Sequence, residues 1–289
     1  MHIKAKKVTI YIIYTICVLV AVTGVFFIGV WNNWLPPFFS GGIAHLSIDD
    51  TIDVFRDLNA SANEYSSIFD NETLNELHTL HEKYDAKFSL YCYYEKNDFN
   101  LSMVTDRYRE EFMANDDWLC FGYHARNGKT DLLELSPKEV EDEYILTTKE
   151  LERITGSSTS TLRLSYYKGS FEAVNRLHDL GVDAFLTSSR NNLSYYLSRE
   201  DMLYLENHDI YQADKVKFVH TDLCLDNLST YELCLSILRD YLDTDQRDLY
   251  CVFTHEWNLN ESMYKHFEYL CGFLKTHNYS FSMEIYTGN

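Results

Sequence analysis

Residues suited to acid–base or metal chemistry recur in this chain at the ends of short β-rich runs. Ile43-Ala-His-Leu-Ser-Ile-Asp-Asp50 is apolar and β-branched, closes on adjacent carboxylates and leads into a helix-like segment. That layout is a buried strand delivering Asp49 and Asp50 to its C-terminal edge. Neighbouring residues on a strand point to opposite faces, so the pair can share one task only where the strand ends. There one carboxylate could bind a metal while the other moves a proton. An N-cap followed by a first-turn acid would give the same sequence. Trp118-Leu-Cys-Phe-Gly-Tyr-His124, Thr161-Leu-Arg-Leu-Ser-Tyr-Tyr167 and Leu249-Tyr-Cys-Val-Phe-Thr-His255 are further β-rich runs, carrying His124, Arg163 and His255 at or near their ends. Each has a plain structural reading, as a hydrogen-bonded strand-end His or a surface ion-pair Arg. Their shared position points to one site, because parallel α/β folds place their chemistry at that edge.

The elements that must position these residues alternate along the chain. Strands are predicted at Ile43–Asp50, Lys87–Tyr94, Trp118–His124, Thr161–Tyr167, Ala184–Thr187, Val216–Thr221, Leu249–His255 and Ser280–Tyr286. Helices are predicted at Asn71–Tyr84 with Asn71 as N-cap, Val104–Ala114, Ser136–Ile154 with Pro137 in its first turn, Ser170–Gly181, Ser229–Leu242 and Glu261–Lys275. His78 and His81, on the first of these helices, read as structural. Met202–Tyr211, with Asn207-His208 at its centre, reads as an inserted β-hairpin. About seven strands separated by helices imply an α/β fold with a mostly parallel sheet. Closed into a barrel, that sheet would bring the strand ends to one rim.

Composition narrows the function further. The formal charge of -19 argues against a nucleic-acid partner, since phosphate binding needs clustered Lys and Arg. With 23 Tyr and 17 Phe the chain is aromatic enough to line a carbohydrate site or simply to fill a core. Lys4, Lys6 and Lys7 precede Val8–Val30, an uncharged apolar run of spanning length flanked by Trp31 and Trp34. We therefore expect a cytoplasmic tail at 1–7, a single-pass signal anchor at 8–31 and a linker at 32–42. The domain at 43–289 would then lie outside the cell, at the cell membrane and envelope. A cleaved signal peptide is the competing reading. The cysteines form no C-x-x-C pair; disulfides and buried free thiols both remain open.

At Ser47-Ile-Asp49-Asp50, Phe121-Gly-Tyr-His124, Arg163-Leu-Ser-Tyr166 and Phe253-Thr-His255 the sequence resembles the polysaccharide deacetylases, carbohydrate esterase family four with the NodB-homology domain. The resemblance spans nearly all of 42–289. It implies a distorted (β/α) barrel and a divalent metal, zinc being expected. It implies Asp49 as catalytic base, Asp50 and His124 as metal ligands, Arg163 holding the base, the Tyr166 backbone amide serving the oxyanion, and His255 as general acid. Glu256 and Trp257 would shape the substrate pocket. Two departures stand out. Gly128 occupies the position of the family's second metal-binding His, and the fourth motif is represented only by Asp183, without its Trp. His255, His45, Glu256 or Asp222 could supply a third ligand.

The expected function is a membrane-anchored hydrolase cleaving the C–N bond of an N-acetylated sugar in cell-surface polysaccharide or peptidoglycan. The alternatives are an inactive module of the same fold binding glycan or a partner protein, and a glycoside hydrolase using Asp49 and Glu256.

Overall fold

The computed structural model describes residues 41–188, 193–227 and 248–285. The predicted anchor and the helix predicted at Ser229–Leu242 lie outside those residues. Among the described residues no helix is long and apolar enough to cross a membrane.

The central strand is β1 (Gly42–Thr51). Its alternation is complete: Ala44, Leu46 and Ile48 enter the main apolar core, whereas His45, Ser47 and Asp49 on the other face are buried polar groups. One strand thus separates an oily outer layer from a polar barrel interior. The outer layer is covered by α1 (Asp53–Ala60) and α2 (Glu72–Tyr84), whose Phe55 and Leu74 join that core. Asn71 caps α2 by accepting from the Leu74 amide at 3.1 Å.

The chain continues through β2 (Phe88–Tyr93), the short hairpin β3 (Glu95–Lys96) and β4 (Phe99–Asn100), α3 (Arg109–Met113) and β5 (Leu119–Ala125). Then come α4 (Pro137–Thr155), β6 (Thr161–Leu162), α5 (Phe171–Asp179) and β7 (Ala184–Leu186). Next are α6 (Arg199–Asn207), β8 (Ile210–Ala213), β9 (Val216–Val219) and β10 (Leu223–Cys224). Last are β11 (Leu249–His255), α7 (Glu261–Thr276) and β12 (Tyr279–Phe281).

One parallel sheet runs β10-β11-β1-β2-β5. β12 pairs with Gly42–Ala44 on the edge of β1 that β2 then takes over from Leu46. The other sheet runs β6-β7-β9-β8, parallel except for the β8–β9 hairpin. Backbone bonds extend the sheet edges: the Thr159 amide, just before β6, donates to the Phe121 carbonyl of β5, and the Asp222 amide, between β9 and β10, donates to the Cys251 carbonyl of β11, both at 2.9 Å. Gly122 permits the first approach, since a Cβ there would come 2.7 Å from Thr159 Cγ2. The result is an α/β fold with a mostly parallel central sheet, consistent with the expected distorted barrel.

Several expectations are corrected. The hairpin placed at Met202–Tyr211 is α6 followed by a hairpin of different register, turning at Asp214-Lys215 with Asp214 at φ 51°. A capping box between Ser198 and Asp201 starts that helix, and Met202 and Leu205, three residues apart, bury one face of it. The strand predicted at Thr161–Tyr167 stops at Leu162 because Tyr166 and Tyr167 take left-handed conformations. Of the helix predicted at Val104–Ala114 only Arg109–Met113 forms, and the last strand shortens to Tyr279–Phe281. Cys92, Cys120, Cys224, Cys251 and Cys271 are buried and in no disulfide.

Candidate active site

At the C-terminal rim, parallel pairing sets Asp49 beside His255, and a cavity of about 510 Å³ opens over them. Asp49, Asp50, His124, Tyr166, His255 and Trp257 all line it. A strand should not present consecutive carboxylates to one cavity. β1 does so because its register against β2 slips between Ile48 and Thr51, with Asp50 at φ 61°. Asp tolerates the left-handed region better than most residues, so a local bulge turns Asp50 to the same side as Asp49.

Asp49 is almost fully buried, and its Oδ2 lies 3.7 Å from Nε of the wholly buried Arg163. Burial raises the Asp49 pKa, opposed by the charge of Arg163. Asp49 Oδ1 has no hydrogen-bond partner among the described residues. The guanidinium packs 4.0 Å from the centre of the Phe253 ring and donates to Thr221 Oγ1 at 3.3 Å.

His124 donates from Nδ1 to the Arg163 carbonyl at 2.5 Å, which turns Nε2 toward Asp50 Oδ1, 3.3 Å away. Burial works against ionisation of Asp50, but hydrogen bonds from His124 and Tyr93 hold its pKa well below the usual carboxylate range. With Nδ1 engaged by the Arg163 carbonyl, Nε2 is the nitrogen left facing the Asp50 carboxylate, at a separation where the two can share a proton or a cation. A backbone carbonyl on the distal nitrogen is also how metal-binding histidines are oriented. These two donors therefore fit a divalent metal.

The third family position does not. A Cβ on Gly128 would stand 3.3 Å from the Tyr93 hydroxyl, so a phenol fills the space where a side chain from that position would reach. None of the proposed substitutes joins the pair. His45 is buried inside the barrel between the Ser282 carbonyl and the Tyr91 hydroxyl. Asp222 accepts the Cys251 amide at 2.7 Å, which ties it to β11.

Glu256 is corrected as a pocket residue. Its carboxylate accepts the Ile52, Asp53 and Val54 amides at 2.8–2.9 Å and caps the N-terminus of α1. Tied there, it is no second carboxylate for a glycosidase. Asp183 is exposed and bonded to Ser160, away from the cavity. Trp257 is 63% exposed rather than a core residue, and its indole donates to Asp50 Oδ2 at 2.9 Å. Tyr166 reaches from the rim to the Gly128 carbonyl at 3.1 Å.

The sequence reading missed Asp226, Cys224 and Tyr93, which also line the cavity. Asp226 contacts His255 Nδ1 and accepts from Thr254 Oγ1 at 2.5 Å and Asn258 Nδ2 at 2.9 Å. Burial disfavours the imidazolium, but the Asp226 hydrogen bond prevails and raises the His255 pKa. The available signal was an acid closing the short run Leu223-Cys-Leu-Asp226 after an already suspected strand.

No family model and no curated protein matches the sequence. Solved structures do. A Mycobacterium smegmatis protein assigned to the polysaccharide deacetylases superposes with a TM-score of 0.53 over 86% of this chain and 91% of its own, at 9% identity. The chain has the polysaccharide deacetylase fold. A CE4 family pseudoenzyme from Bacillus anthracis superposes with a TM-score of 0.50 at 12% identity, covering 83% of this chain and 63% of its own. At such identity the likeness establishes the deacetylase fold, and the chemistry has to be argued from the side chains.

Proposed function

We propose that this chain is a metal-dependent hydrolase of the deacetylase type, removing acetyl groups from an N-acetylated sugar of a cell-surface polysaccharide or peptidoglycan. Residues 8–31 would tether it to the membrane, with the barrel outside the cell. The supporting observation is the 3.3 Å approach of Asp50 and His124, in the cavity that also holds Asp49 with Arg163 behind it and the His255–Asp226 pair. Asp50 and His124 would hold a divalent cation, zinc by expectation, which would supply Lewis acidity toward a water and an acetyl carbonyl.

The remaining chemistry belongs to the chain's own groups. Asp49, whose burial raises its pKa against the opposing charge of Arg163 and whose Oδ1 has no partner among the described residues, takes the proton of the attacking water. The Tyr166 backbone amide donates to the developing oxyanion. His255, held on Nδ1 by Asp226, gives a proton from Nε2 to the departing sugar amine. The exposed ring of Trp257 offers a face for a sugar to stack on.

The test is acetate release from N-acetylated chitooligosaccharides by the full-length chain, with zinc or cobalt and with chelator. Activity should be lost on chelation and fall about 100-fold or more in Asp49→Asn. Reducing ends without acetate would replace this reading with a glycosidase. A second reading, an inactive glycan-binding module, draws on Gly128 and the phenol beside it. Chelator-insensitive glycan binding without any acetate would select it.

A further inference from the structure

Among the described thiols only Cys224 lines the cavity. The metal-ligating atoms of Cys224, Asp226 and His255 all lie within 4.8 Å of one another, and Cys224 Sγ is 3.6 Å from Asp226 Oδ2. Donors about 2.0–2.3 Å from a tetrahedral ion stand about 3.3–3.8 Å apart, so the thiol and carboxylate are already spaced for a shared ion. His255 Nδ1 is bonded directly to Asp226 Oδ2, a contact that an ion would have to open, while other bonds hold the carboxylate in place. Thr254 and Asn258 both donate to Asp226 Oδ1, leaving Oδ2 to face Cys224 and His255. The His255 ring is stacked on Trp257 at 5.0 Å and set edge-on to Phe253 at 5.5 Å. Outer contacts of this kind orient the ligands of metal centres. A thiolate, an imidazole and a carboxylate with cavity space beside them make a donor set for a thiophilic ion, distinct from the all-hard sets preferred by magnesium or calcium.

We propose that Cys224, Asp226 and His255 form a second cation site in the cavity, taking zinc or a similarly thiophilic divalent ion, and that its occupation withdraws His255 from proton transfer. Binding makes one bond each to sulfur, oxygen and nitrogen. It releases to water the thiol proton and the proton between His255 and Asp226, and no electron moves. The inhibitory consequence rests on the hydrolase reading above; the site itself does not. Zinc at low occupancy would support acetate release through Asp50 and His124, and excess zinc would suppress it.

The experiment titrates the full-length chain with cobalt(II) and follows the thiolate-to-cobalt charge-transfer absorption in the near ultraviolet. The absorption should saturate, disappear in Cys224→Ser, persist in Cys92→Ser and His124→Ala, and be displaced by zinc. Asp226→Asn should weaken the site tenfold or more. No such absorption in the wild type, or its survival in Cys224→Ser, overturns the proposal. If Cys224→Ser does not fold, unchanged cobalt affinity in Asp226→Asn overturns it equally. The two readings fail separately. Absorption without acetate release keeps this site and removes the hydrolase, whereas acetate release that requires Asp50, without the absorption, does the reverse.

Discussion

Asp226 and Tyr93 each modify a neighbouring group that the sequence marked. Asp226 stabilises the protonated form of His255, so a step that needs the imidazolium is lost as pH rises through that raised pKa. Asp226→Ala should therefore move the alkaline limb of the kcat profile to lower pH and lower kcat at neutral pH, read from acetate release across pH. Tyr93 bears on metal affinity. Restoring a ligand by Gly128→His alone meets the phenol at 3.3 Å from the new Cβ and should leave zinc affinity unimproved. Combining it with Tyr93→Ala clears the space, and calorimetry should then show zinc binding at least about tenfold tighter. Equal affinities in the single and double variants would dismiss the phenol as the obstacle.

Elements position these groups through their ends. The bulge in β1 gives both carboxylates one outlook, and the Ser165–Tyr167 turn brings Tyr166 back over the rim. Glu256 joins two elements, since it follows β11 and caps α1, the helix that begins just after Asp50. Removing it leaves three backbone donors without their acceptor at a helix start, where a negative charge is favoured. Glu256→Ala should cost about 2 kcal/mol or more of stability, measured as a lower urea midpoint at unchanged m-value. A stability equal to wild type would show that water caps the helix as well.

Across the whole molecule, the barrel interior holds a polar column in which Arg163 faces Asp49 and His45 lies nearby. Removing the guanidinium strands a buried carboxylate, so Arg163→Met should destabilise the fold by about 3–5 kcal/mol in denaturant titrations. His45 supplies a pH dependence. Burial, together with the charge of Arg163, lowers its pKa to about 3, against the Ser282 carbonyl that favours protonation. Folded His45 is neutral where the unfolded side chain, at the ordinary value of 6.5, is charged. The unfolded chain therefore binds more protons between those values. His45's contribution is complete above about pH 6.5 and is lost toward pH 3, with a slope approaching about 1.4 kcal/mol per pH unit. Urea midpoints from pH 7 to pH 5 should fall in the wild type and fall less steeply in His45→Gln.

What the sequence determined by itself was the alternation of strands and helices and the strand ends carrying Asp49, Asp50, His124 and His255. Those features are local: apolar periodicity sets an element, and a polar residue closing it marks the rim. β11 runs Leu249–His255 as its pattern predicts, and Ser136-Pro137 opens α4 with Pro137 in its first turn as expected. Local patterning failed where distant residues choose the outcome. β6 ends at Leu162, and the chain turns at Tyr166 and Tyr167, whose left-handed backbone the β-rich pattern did not show. Glu256 leaves the cavity because a helix start more than 200 positions away in sequence offers it three donors. Asp226 meets His255, and Tyr93 stands over Gly128, only because β10 pairs with β11 and β2 with β5 in these registers. Side-chain partnership across a sheet depends on register and curvature, which no short stretch of sequence encodes.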